Sequence, residues 1–273
     1  MRHSLRAFLV LVTLCTLFLA ACGGTSTASP VSKPSITTLN VFAAASLTES
    51  FNEIAMKYER SHPNIKITLN FNGSQILEQQ IADGAPADIF ASADMTNMQK
   101  ASAAGLVSAA EVFVKNRLAV IIPANNPGNI SSLHDLARKG VKIDIGASSV
   151  PAGKYSLQVL DNMAKAPSYG PGYESAVKAN FVSQETNVKA VVEKVQLGEV
   201  DAGFVYRTDV TSAVSNKVKI IDISDNFNVI AQYPIAVTKN SAHAGEAQAF
   251  VQYILSADGQ GVLEQFHFIA VKP

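Results

Sequence analysis

From residue 38 onward the sequence switches repeatedly between short strand-like runs and helix-like patterns, and that alternation confines it to the α/β class. Residues 39–43 (LNVFA) form a short apolar run, and residues 65–71 (IKITLNF) alternate with period two, as a half-buried strand does. Further strand-like runs lie at 89–91, 117–122, 143–146, 202–205 and 218–221. Between them, Leu47, Phe51, Ile54, Ala55 and Tyr58 share one helical face. Val188, Val191, Val192 and Val195 repeat at helical spacing, and Phe250, Val251, Ile254 and Leu255 make a third such pattern. This order implies parallel strands joined by crossover helices. No Pro/Gly/Ser-rich linker divides the chain after residue 36. Two crossings are nevertheless marked, near Ile121-Ile122-Pro123 and Gln232-Tyr233-Pro234. The expected organisation is a two-lobed clamp with a two-strand hinge and a ligand cleft between the lobes. One lobe would take residues 37–121 plus 234–273, the other 122–233.

The start of the chain reads as an address. Arg2 and Arg6 precede an apolar stretch at 7–21 (AFLVLVTLCTLFLAA), too short for a comfortable membrane span. It ends in Leu19-Ala20-Ala21-Cys22, which resembles the lipobox of bacterial lipoproteins, in which the cysteine is acylated. The alternative is an ordinary secretory signal with an incidental cysteine. The lipobox reading makes 1–21 a signal peptide and 22–36, rich in Gly, Ser, Thr and Pro, a tether. It places the protein outside the cytoplasm, held at the bacterial cell membrane by lipid on Cys22, with more than one acyl chain needed for stable anchoring. The mature chain then keeps a single cysteine, so its fold must stand without disulfides.

Composition narrows the chemistry. Basic and acidic residues balance at 22 each and there is no Trp, which removes the electrostatic footprint expected of a nucleic-acid binder. His134, His243 and His267 have no metal-ligand spacing. No P-loop and no G-x-S-x-G elbow occurs. Asp83, Asp88 and Asp94 read as helix end, strand and cap rather than as paired catalytic carboxylates. Function is left to neutral polar groups placed by the fold.

Those groups sit where strands turn into helices. Ala43-Ala44-Ala45-Ser46 follows the first strand, and Ser46-Leu47-Thr48-Glu49 fits a capping box. Asn72-Gly73-Ser74 follows the second strand, and Val150-Pro151-Ala152-Gly153 opens another helix. Each turn of small residues exposes main-chain N–H groups at the positive end of a helix dipole. Several such ends aimed at one point make an anion site without a cationic side chain. Taken singly, Ser46 and Ser74 read first as plain helix caps. Lys154 and Arg207 adjoin these turns and could reach an anion, or could be solvated surface charges.

Taken together, the runs VFAAASLTESF, FNGS, GAPADIFASAD, VPAG and GEVDAGFVYRTDV resemble the molybdate-binding protein family of bacterial ABC importers, over about residues 38–271. The resemblance implies a periplasmic-binding-protein-like fold whose lobes close on one tetrahedral oxyanion. It also implies Ser46 and Ser74 as hydroxyl donors, Ala152 and Val188 as main-chain donors and Tyr206 as a phenolic donor. The metal of molybdate or tungstate would be reached only through its oxygens. No cofactor is implied, and the protein would not be an enzyme. Its partners would be the ion, an ABC permease with a separate ATPase, and the membrane through the anchor; the protein itself would be a monomer. The alternatives are a binder of another oxyanion or small organic anion on the same fold, and an exported two-lobed hydrolase, which would need a nucleophile–base pair that no motif supplies.

Overall fold

The computed structural model describes residues 35–271. The expected signal peptide, Cys22 and the tether as far as residue 34 lie outside the described residues.

The chain first builds β1 (Thr37–Ala44), α1 (Thr48–Ser61), β2 (Ile65–Asn72), α2 (Ser74–Ala82), β3 (Ile89–Ala91), α3 (Met95–Ala103) and β4 (Glu111–Asn116). It then makes β5 (Leu118–Pro123), β6 (Ile143–Gly146), α4 (Pro151–Ala164), α5 (Tyr173–Lys178), β7 (Phe181–Glu185), α6 (Val188–Leu197), β8 (Ala202–Tyr206) and β9 (Val218–Asp222). It closes with β10 (Ala231–Val237), α7 (Ala244–Leu255), α8 (Ala257–Gln265) and β11 (Ile269–Ala270). Two sheets result, ordered β11-β4-β10-β3-β1-β2 and β7-β6-β8-β5-β9. Each sheet with its helices is one lobe of a two-lobed α/β fold.

The strands at β1–β3 and β6–β8 are parallel, as the alternation of strand and helix requires. The sheets are nevertheless mixed. β10 runs antiparallel to β3 and β4, and β5 runs antiparallel to β8 and β9. β5 and β10 are the strands that enter a sheet from the other lobe, without a crossover helix to set their direction. The chain changes sheets at 116–118 and again at 222–231, so 121–123 lies within β5 and 232–234 within β10.

Burial follows the helical stripes. Leu47, Phe51, Ile54, Ala55 and Tyr58 are buried against the first sheet together with Phe250, Val251 and Ile254. Val188, Val191, Val192 and Val195 are likewise buried, covering the second sheet beside Leu160, Met163 and Phe204. No helix among the described residues is long and apolar enough to cross a membrane.

Register carries the first-lobe site to one level. Ala44 pairs with Asn72 across β1 and β2, and Ala43 with Ala91 across β1 and β3. The chain therefore leaves β1 and β2 side by side, and Ser46 and Ser74 each follow two residues later. In open parallel sheets such carboxyl ends are where ligands gather.

Candidate functional site

One small cavity lies between the carboxyl ends of the parallel strands of both sheets. Its walls include Ser46 after β1, Asn72, Gly73 and Ser74 after β2, and Ala93 after β3. From the second lobe come Val150 and Ala152 after β6, Val188 after β7 and Tyr206 at the end of β8. All five residues expected at an anion site thus face the same space, and all five are buried. No charged side chain lines it. The cavity volume is about 10 Å³, the scale of a single water and far too small for a sugar or peptide.

Helix starts surround this space. The 3-10 turn Ala45–Leu47, α2 and α4 all begin without a side-chain cap. At α6 the Asn187 side chain takes only the Ala190 N–H, at 3.2 Å. The first N–H groups of a helix have no intrahelical acceptor, and their dipoles place partial positive charge at the helix start. Pro151 at the first position of α4 supplies the helical φ and gives up an N–H that would have been unsatisfied. Gly153 lets that helix start lie directly on β6. A Cβ there would stand 2.0 Å from the Gly146 carbonyl oxygen and 2.3 Å from that of Ala147.

Neither serine caps its helix. The capping box expected at Ser46 does not form: the Ser46 hydroxyl lies 2.9 Å from the Tyr233 hydroxyl, and Glu49 turns to Lys189. Ser74 is the first residue of α2, and its Oγ accepts the Ala93 N–H at 2.9 Å. Tyr206 carries the plainest sign of a missing partner. Its hydroxyl is buried beside that of Tyr233 and has no partner in hydrogen-bond geometry. Burial pushes its pKa well above the ordinary phenol range, so it keeps its proton and remains a donor.

Lys154 and Arg207 do not reach the cavity. Lys154 hydrogen-bonds Thr96 and stands 3.9 Å from Asp94, tying α4 to the first lobe. Arg207 is 3.5 Å from Asp222. The carboxylates also have structural work: Asp94 caps α3 by accepting the Asn97 N–H at 3.0 Å, and Asp88 accepts the Asn40 N–H at 2.7 Å. Among the described residues no group of His, Cys, Asp and Glu is arranged to hold a metal ion.

Sequence reading missed Lys189, one residue after Val188. Its ammonium bridges the cleft to Glu49 at 2.8 Å and lies 3.5 Å from the buried Asp209. Burial alone would pull the Lys189 pKa down, but Asp209 and Glu49 outweigh it and hold it above the ordinary value. Burial lifts Asp209 to about 6 against the pull of Lys189, and its Oδ2 accepts the Tyr206 main-chain N–H at 3.0 Å. A further tie crosses the cleft where the Gln75 amide donates to the Thr186 carbonyl at 2.8 Å. Tyr233 and Asn116, which stand behind Ser46, were also missed.

Comparison with known proteins covers nearly the whole chain. Residues 39–269 match the model of the bacterial extracellular solute-binding protein family. The chain is 34% identical over 253 residues to the molybdate-binding protein ModA of Mycobacterium tuberculosis, covering 92% of each. It is 32% identical over 270 residues to YvgL of Bacillus subtilis, whose name places it among ABC transporter substrate-binding lipoproteins, covering 97% of this chain and 99% of that one. The solved periplasmic molybdate-binding protein of Azotobacter vinelandii superposes with a TM-score of 0.75 at 19% identity, over 86% of this chain and all of that one, a likeness of fold.

Proposed function

The chain belongs to the bacterial extracellular solute-binding protein family, and from that premise we propose that it captures molybdate, and tungstate with it, in the cavity between its lobes. Members of the family are solute-binding transport proteins rather than enzymes, and the ion is cargo, not a cofactor. The observation that carries the reading is the convergence of neutral donors from both lobes on one small space, with the Tyr206 hydroxyl lacking a partner in hydrogen-bond geometry. Ser46, Ser74 and Tyr206 would donate from side chains, Ala152 and Val188 from the main chain. A hydrogen bond to a charged acceptor contributes about 1.5–3 kcal/mol, so five contribute about 7.5–15 kcal/mol toward offsetting the cost of immobilising the ion. A neutral cage also avoids burying a cationic side chain, whose desolvation would offset much of the attraction.

Residues 37–116 with 231–270 would form one lobe and 118–222 the other, hinged where the chain changes sheets. An ion held by both lobes favours the closed form by its differential affinity for it. The protein would act as a monomer that delivers its ion to an ABC permease driven by a separate ATPase. Lipid on Cys22 would hold it at the outer face of the cell membrane. Support for the anchor is the Leu19-Ala20-Ala21-Cys22 sequence and the likeness to a relative named a lipoprotein. Cys22→Ser in the full-length chain should release the protein from the membrane fraction or block its processing. Unchanged retention after cell fractionation would rule the anchor out.

Calorimetric titration with molybdate, tungstate, sulfate and phosphate tests the ligand class directly; absence of heat with molybdate would end this reading. The neutral cage is tested within the same series. Tyr206→Phe keeps the ring and removes one donor, leaving one oxygen of a desolvated dianion unpaired. Affinity for molybdate should fall by about ten- to a hundred-and-fifty-fold. Arg207→Ala, whose charge lies outside the cavity, should change it by less than about tenfold. A larger loss in the arginine variant would mean that charge, not neutral donation, holds the ion.

A further inference from the structure

We infer that Asn116 and Tyr233, neither of which lines the cavity, fix the direction of the Ser46 proton and make that hydroxyl an obligate donor, biasing the site toward oxyanions that carry no proton of their own. The inference rests on the oxyanion reading above and extends it to specificity. It also gives a role to two buried polar side chains that the cage itself does not use.

The direction of the proton follows from a chain of hydrogen-bond assignments. Asn116, the last residue of β4, is fully buried, and its Oδ1 lies 2.9 Å from the Arg117 N–H. A main-chain N–H can only donate, so the carbonyl end of the amide must be the end that faces it. The other end is therefore the NH₂ group. It donates to the Thr208 hydroxyl at 2.8 Å and to the Tyr233 hydroxyl at 3.2 Å. Tyr233 thus accepts from Asn116. Burial raises the Tyr233 pKa well above the ordinary value, so the phenol keeps its single proton. The Tyr206 hydroxyl also lies beside it, but the remaining partner in hydrogen-bond geometry is Ser46 Oγ at 2.9 Å, and the proton is assigned there. Ser46 then accepts from Tyr233, and its own proton is free to point into the cavity it lines.

Ser74 reaches the same state by a shorter route. The Ala93 N–H donates to its Oγ, which leaves the Ser74 proton for the cavity as well. A hydroxyl without such wiring turns freely and can meet a ligand oxygen with either its proton or a lone pair. A wired hydroxyl meets a deprotonated oxygen well, but it sets proton against proton when the ligand carries an O–H. Molybdate, tungstate and sulfate are fully deprotonated at neutral pH. Hydrogen phosphate and hydrogen arsenate have the same tetrahedral shape but keep a proton.

The test uses the full-length protein titrated with molybdate and with hydrogen arsenate at slightly alkaline pH. Tyr233→Phe preserves a ring that packs edge-on against Tyr206 and Phe268, each 5.7 Å away between centroids, and removes only the hydroxyl. It should weaken molybdate by about tenfold while leaving arsenate unchanged or tighter, so the preference for molybdate falls by about tenfold or more. Because Tyr233 acts through Ser46, Tyr233→Phe introduced into a Ser46→Ala background should cost little further molybdate affinity. Asn116→Ala reaches the same phenol without disturbing its ring and should shift the preference in the same direction. An unchanged molybdate-to-arsenate ratio in Tyr233→Phe, or additive losses in the double variant, would overturn the inference. A wild-type protein that fails to bind molybdate at all would instead overturn the functional reading beneath it.

Discussion

Ser74→Asp should give a folded protein that no longer binds the ion. The Ala93 N–H that now donates to the serine hydroxyl at 2.9 Å can donate equally to a carboxylate. Residue 74 is also the first of α2, where a negative charge is favourable. The fold therefore has reason to keep the new side chain in place. Binding is another matter, because the carboxylate would face a dianion across a few ångströms of water-poor cleft. Two unit charges about 4 Å apart repel by roughly 4 kcal/mol at an effective dielectric of 20, and a dianion about doubles this. Even after relaxation, affinity should fall by about a thousandfold or more. Calorimetry beside a thermal melt separates the two effects; retained binding would place Ser74 outside the ion's reach.

Gly153→Ala should damage both stability and binding, through backbone rather than through chemistry. The added methyl would sit 2.0 Å from one carbonyl oxygen and 2.3 Å from the next, and neither can swing away as a side chain could. The start of α4 must withdraw from the end of β6, carrying the Ala152 N–H out of the cavity wall. Overpacking of this kind costs about 1–3 kcal/mol of stability. The binding loss should be larger than the loss of one donor, because the helix dipole moves with it. A lowered melting temperature together with weakened molybdate affinity is the expected pair of results. A variant that melts lower yet binds normally would show that the α4 start takes no part in recognition.

Alternation made much of the fold legible, since β2 and β6 emerge where the period-two and apolar runs place them. It could not reveal β10, because Pro234 sits inside that strand at a register shift, and an interior proline argues against a central strand. Nor could it reveal strand direction in β5 and β10, which is set by the path between lobes rather than by local pattern. β7 stayed hidden because it is an edge strand with no fully buried face. At the site, short turn motifs exposed Ser46, Ser74 and Ala152. Their supports were invisible, because Tyr233 meets Ser46 across 187 residues and Asn116 meets Tyr233 across 117. The capping box at Ser46 failed for the same reason: a distant phenol outcompeted the local N–H groups. Lys189 lay next to a motif residue, yet only the fold shows that Glu49 and Asp209 await it.

The main-chain share of the cage bears on how such a protein drifts over generations. At positions 152 and 188 the proposed donor belongs to the peptide, so exchange of the side chain leaves it standing and only proline deletes it. Both residues lie in the first turn of a helix, where proline is tolerated and where the lost N–H had no helical partner. A lineage could therefore exchange the side chains at these two positions and go on gathering the same ion, or lose one donor of the cage through a single proline that leaves the fold intact.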